Sequence, residues 1–141
     1  THRVLWQWAA QLGLHLVVSA PFPRPVVEAL STFASHNGRT RIQLTHLGTP
    51  ELAGRRNVHV QISGMHKLGK PPYTELVPQI QELYAAYGAE RLVYASNFPV
   101  METEPIYTAE IELVSSGQLG IPAGAAPLVM NQNAERFWFA R

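Results

Sequence analysis

Six histidines, at positions 2, 15, 36, 46, 59 and 66, are the side chains whose ordinary pKa best suits proton transfer near neutral pH. No His-x-His pair occurs among them, so they supply no paired imidazole clamp for a metal. The chain has no cysteine, which excludes thiol nucleophiles, cysteine-rich zinc sites and disulfide scaffolds. The remaining candidates are polar groups that end short apolar runs. Ser19 ends LHLVVS, His46 follows RIQLT, Ser63-Gly64-Met65-His66 close NVHVQIS, and Ser96-Asn97 follow RLVYA. An imidazole so placed can polarise a carbonyl or take a proton, and an asparagine can orient a substrate or water by hydrogen bonding. His66 on its loop could touch a substrate, and Arg24, between two prolines, could grip a carboxylate with its forked guanidinium. Plainer roles stand beside these. His59 fits a satisfied interior histidine, Arg24 a surface arginine, and Lys67 and Lys70 solvated loop charges. Trp6, Trp8 and Trp138 fit packing anchors for helices or for a partner.

Such groups act together only if the elements beneath them bring their ends together. The pattern alternates helix and strand. Residues 2–12 place Leu5, Trp8, Ala9 and Leu12 at helical spacing, with Gly13 as a stop. Residues 14–19 read as a buried strand, and a helix follows from about Pro25 to His36 with Val26, Val27, Leu30, Phe33 and Ala34 on one face. Residues 41–45 and 57–63 are further strands, the latter alternating Val58, Val60 and Ile62 with His59, Gln61 and Ser63. Thr74 is the expected N-cap of a helix whose stripe is Leu76, Val77, Ile80, Leu83, Tyr84 and Tyr87. A fourth strand spans 91–95, a helix runs from about Pro105 to Ser115, and a short helix near 131–138 ends the pattern. Only residues 46–56 lie between the second and third strands, too few and too irregular for a full crossover helix. The pattern predicts an α/β fold with a parallel sheet whose working residues gather at the carboxyl ends of the strands. The polar face formed by His59, Gln61 and Ser63 suits a barrel interior better than an open sheet covered by helices on both sides.

The 141 residues bound this to one domain, and 11 basic against 10 acidic residues leave a charge of +1. That balance gives no footprint for nucleic acid or an anionic membrane surface. No apolar run approaches the roughly 20 residues of a membrane helix, and the expected location is the cytoplasm.

Four segments in register resemble the amidohydrolase-related, usually metal-dependent hydrolases. They are His46-Leu47-Gly48-Thr49-Pro50, the run Asn57 to Gly64 (NVHVQISG), the run Tyr87 to Pro99 (YGAERLVYASNFP), and Asn133-Ala134-Glu135-Arg136-Phe137. The family's usual counterparts are DHLGKP, NVYVKLSG, FGxERLMFGSDWP and NAxRLF, and the likeness covers about residues 12 to 139. The resemblance implies a (β/α)8 TIM barrel of which this chain holds the C-terminal half, strands five to eight. It also implies lactonase-like chemistry on a small carbonyl substrate. Metal-using relatives hold a divalent ion, usually zinc or manganese, with a His-x-His pair, a histidine ending the fifth strand and an aspartate ending the eighth. The metal polarises the carbonyl or acidifies a bound water, and the aspartate takes the proton.

Carried over residue by residue, His46 matches the sixth-strand histidine beside the reacting centre. Ser19 stands where the fifth-strand histidine is expected, Asn97 where the aspartate is, and Thr45 where an acid usually precedes the histidine. Neutral oxygens are poor ligands for a divalent ion in a nitrogen-rich site, so no bound metal or other cofactor is expected. His46 and Asn97 are the expected catalytic residues, with Ser19, Ser63, His66 and Arg24 at the substrate. The alternative is an inactive half-barrel serving as a binding or structural subunit. A whole barrel needs about 250 residues, so residues 1–141 form one partial domain, expected in a longer chain or an assembly. Its open edges call for a complementary half-barrel or a second copy of the chain.

Overall fold

Valine-, isoleucine- and leucine-rich runs form four short strands in a computed structural model that describes residues 2–19, 21–99 and 104–140. They are β1 (Leu16–Val18), β2 (Ile42–Leu44), β3 (Val58–Ile62) and β4 (Leu92–Tyr94). All pair in parallel, in the order β1-β2-β3-β4. Ile42, Leu44, Val58, Val60, Ile62 and Leu92 are fully buried, and strict alternation turns Gln43, His59, Gln61 and Val93 to the opposite face. Each such aliphatic side chain contributes about 1.5–3 kcal/mol by leaving water.

Among the described residues, five α-helices accompany the sheet: α1 (His2–Gln11), α2 (Arg24–His36), α3 (Val77–Tyr87), α4 (Glu104–Ser116) and α5 (Asn133–Phe139). Val27, Leu30, Phe33 and Ala34 of α2, with Ile80, Leu83 and Tyr87 of α3, form the inner stripes expected from their spacing. Between β2 and β3 the chain makes a single 3-10 turn at Pro50–Leu52 instead of a helix. Leu52 is buried there, and the Tyr87 hydroxyl donates to the Thr49 carbonyl at 2.7 Å, so α3 itself covers the short crossover. Polar side chains lock the connections beneath the sheet. Arg91 donates to the carbonyls of Ala53, Arg55 and Tyr87 and stacks on the Tyr87 ring. The Asn133 amide reaches the carbonyls of Ala89 and Leu92 at 2.7 and 2.8 Å.

Three local expectations are corrected. The spacing Leu5-Trp8-Leu12 does not face the core: these side chains are exposed, and α1 leans inward on Trp6 and Ala10, with Trp6 5.7 Å from the Phe33 ring. The first strand is not buried, because β1 is a sheet edge and Val17 is 51% exposed. Thr74 does not cap the third helix. It opens a 3-10 turn after Tyr73, whose backbone is left-handed, and that turn runs into α3. Among the described residues, β1 and β4 each have one side without a neighbouring strand.

His59 is packed edge-on against Phe137 at 5.0 Å on the inner face. Burial is the main force that lowers its pKa to about 4; the Asn57 backbone carbonyl, as an acceptor for the ring, opposes the shift, and Arg91 and Arg41 add to it. The unfolded chain protonates this imidazole near the ordinary 6.5, while the folded one stays neutral down to about 4. Between those values unfolding takes up a proton, so stability falls with falling pH by about 1.4 kcal/mol per unit. Urea unfolding at pH 7, 6 and 5 should show this loss, and His59→Gln should flatten it. An equal slope in the variant would remove His59 as its source.

Candidate functional site

The site is built on the turn that leaves β2. The ladder continues through Thr45, whose N–H donates to the Val18 carbonyl, and the chain then turns through three left-handed residues. His46 has φ 54°, Leu47 65° and Gly48 45°. A left-handed backbone costs a non-glycine residue about 1–2 kcal/mol. The turn is held by the complete burial of Leu47, by its N–H donating to the Gln61 carbonyl, and by the Gly48 N–H donating to Thr45. A side chain at Gly48 would press on Leu44 and Val60.

This turn delivers His46 to the end of β3. The fully buried Ser63 hydroxyl accepts the His46 backbone N–H at 3.1 Å, lies 3.3 Å from Nδ1, and donates to Gln61 Oε1 at 3.0 Å. Gly64, with φ 70°, makes room for the ring: a Cβ there would stand 2.5 Å from Nδ1. Burial, then the nearby Lys67 and His66, hold the His46 pKa below its ordinary value. The imidazole is therefore neutral at neutral pH and able to accept a proton.

Behind this lies a second polar group. Glu110 of α4 is fully buried, and both its oxygens accept phenol protons, from Tyr73 at 2.8 Å and Tyr94 at 3.2 Å. Burial raises the carboxyl pKa, while the two phenols and His66 oppose the shift. Burial likewise pushes both phenols well above the ordinary tyrosine range, so they remain donors. The carboxylate thus ties the loop after β3, through Tyr73, to the end of β4, through Tyr94.

The expected site residues divide accordingly. His46 and Ser63 are joined, and His66 is close enough to act on His46 electrostatically, with its own Nδ1 buried and unpartnered. Ser19 ends β1 and Asn97 follows β4, so β2 and β3 separate them. Ser19 is exposed and lines a 560 Å³ groove with Trp6, Val17, Val18, Pro25 and Val26. Asn97 is half-buried, with φ 59°. Arg24 is not brought to the others; it lies on the outer first turn of α2, paired at 2.9 Å with Glu28 in solvent. Among the described residues no three His, Asp or Glu side chains are grouped to hold a metal ion. Ser19 and Asn97 offer neutral oxygens where the resemblance places a histidine and an aspartate, a donor set poorly matched to a divalent cation.

Two participants escaped the sequence reading. Gln61 shares the face of Ser63 by simple alternation, which was the signal available for it. Glu110 sits one helical turn before the buried Leu113 and Val114, so its position on the inward stripe was readable, although its charge argued for solvent.

A family model described as amidohydrolase matches residues 2–140. Among solved structures, a zinc-bound amidohydrolase from Burkholderia multivorans superposes with a TM-score of 0.73 at 16% identity, over 95% of this chain and 55% of that one. A structure described as a 2-pyrone-4,6-dicarboxylic acid hydrolase from Pseudomonas putida gives 0.69 at 24% identity, over 96% and 55%. A 2,6-dihydroxybenzoate decarboxylase from Rhizobium gives 0.60 at 13%, over 96% and 54%. No curated protein matches the sequence. The chain therefore has a partial TIM-barrel fold and spans about half the length of the structures it matches.

Gly64→Ala tests the seat of the imidazole. The variant should lose about 1–2 kcal/mol from its left-handed backbone and also move the His46 ring resonances in NMR spectra. Gly13→Ala, at φ 68° with open space around an added Cβ, serves as the control for strain alone. Unchanged His46 resonances in Gly64→Ala would refute the close approach.

Proposed function

Because the chain belongs to the amidohydrolase family, matched over residues 2–140, we propose that it is the His46-bearing part of a hydrolase that opens a lactone or similar small carbonyl substrate without a tightly bound metal. The observation that carries this is the neutral His46, held at the carboxyl end of the sheet by Ser63 and given room by Gly64. His46 takes a proton from water as the water oxygen bonds to the carbonyl carbon. When the ring C–O bond breaks, the leaving oxygen recovers that proton and the product is a hydroxy acid. Asn97, which cannot act as a carboxylate base, orients the substrate or water from the β4 side. Lys67 and His66 beside His46 favour a substrate that carries a carboxylate. That agrees with the carboxylated rings named for the Pseudomonas putida and Rhizobium structures. The open edges of β1 and β4 are closed in the working protein by a complementary half-barrel.

A second reading, an inactive binding or structural subunit, is favoured by Ser19 and Asn97 standing in place of a histidine and an aspartate. Turnover separates the two. Hydrolysis of a carboxylated pyrone lactone, followed by loss of ring absorbance, should fall by about 100-fold or more in His46→Gln. No turnover by the chain joined to a complementary half-barrel would favour the inactive subunit.

Metal content tests the other half of the proposal. The purified protein should carry far less than one zinc or manganese per chain, and Ser19→His with Asn97→Asp should raise its affinity for zinc. Near-stoichiometric metal in the parent protein would overturn the metal-free reading.

A further inference from the structure

We propose that Gln61 is a positioning residue that fixes which nitrogen of His46 carries the proton. This rests on His46 being the base of the proposed reaction, but its argument is a hydrogen-bond count. The Ser63 hydroxyl has one proton and two lone pairs. Its three neighbours are the His46 backbone N–H at 3.1 Å, His46 Nδ1 at 3.3 Å and Gln61 Oε1 at 3.0 Å. The backbone N–H can only donate, so it takes one lone pair. Gln61 Oε1 can only accept, so it takes the hydroxyl proton. One lone pair remains for Nδ1, and Nδ1 must therefore be the donor. The neutral imidazole is then the Nδ1–H tautomer, with the lone pair on Nε2. Ser63 is fully buried, so water does not readily substitute for any of these partners.

Gln61 also holds the turn through its backbone, since its carbonyl accepts the Leu47 N–H at 3.1 Å. One residue thus sets both the path of the chain after His46 and the state of the ring. Without the Gln61 acceptor, the Ser63 proton has Nδ1 as its nearest alternative. Nδ1 would then accept, the ring proton would move to Nε2, and the base would be lost. Ser63 on this account is a positioning residue as well.

The test is ¹⁵N NMR of histidine-labelled protein at pH 8, where each neutral tautomer has its own pair of ring nitrogen shifts. The parent protein should show His46 as the Nδ1–H form. Gln61→Leu should convert it to Nε2–H, and Gln61→Glu, which keeps an acceptor, should retain Nδ1–H. Turnover in Gln61→Leu should fall on the order of 100-fold, with KM much less affected, and Gln61→Glu should recover most of it. A parent His46 in the Nε2–H form, or an unchanged tautomer in a folded Gln61→Leu, would overturn the proposal. If the tautomer switches as described but no lactone is hydrolysed, the reaction assignment fails and the role of Gln61 stands. If His46 is required for turnover but Gln61→Leu leaves its tautomer alone, the reverse holds.

Discussion

Alternation along β2 and β3 is the constraint on which the rest of the molecule depends. Ile42, Leu44, Val58, Val60 and Ile62 leave water completely against the helices, and a slip of one residue would turn all five to the opposite face. With those positions fixed, the opposite face has no freedom in what it presents. Gln43, His59 and Gln61 must point inward, and Ser63 continues their row past the end of β3. A polar inner row is therefore a consequence of the apolar outer one. The residues of the site inherit their direction from side chains that never meet a substrate.

On that frame the site is assembled mainly by backbone geometry. A histidine and a leucine in left-handed conformations are unfavourable in isolation, and they persist because Leu47 has no exposure and its N–H is taken by β3. Gly64, one residue past Ser63, leaves space that a Cβ would take from the ring beside that hydroxyl. The Tyr73–Glu110–Tyr94 group extends the same logic to the outer layer, where a buried carboxylate with two phenol donors joins the loop to the end of β4. Truncating either phenol would leave a buried carboxylate short of a partner, a larger cost than breaking a surface ion pair such as Arg24–Glu28.

Much of this was legible in the residues. The strands, the inner stripes of α2 and α3 and the shortened 46–56 crossover follow from period, length and punctuation, because local pattern and tertiary burial agree there. The outward face of α1 was not legible. Leu5, Trp8 and Leu12 have the spacing of a buried stripe, but no described element lies over them, and spacing alone does not reveal which side is covered. The exposure of Val17 has the same origin at the β1 edge. At the site, the position of His46 at a strand end was readable, whereas its contact with Ser63 depends on a left-handed turn that a histidine gives no reason to expect.

The substitutions at the strand ends and the geometry between them bear on one question, how charge is managed when a carboxylate and a histidine are replaced by Asn97 and Ser19. In a metal site those residues neutralise and orient a divalent cation, and acid–base strength comes from the ion. In the proposed metal-free reaction, with neutral side chains at both edges, the central strands supply the basicity themselves. His46 meets that need only if it is uncharged and its proton is on the nitrogen facing Ser63. Burial together with Lys67 and His66 secures the first condition, and the Ser63–Gln61 pair bears on the second. Both conditions are met by residues of β2, β3 and the loop after β3, the part of the sheet where every strand has two neighbours.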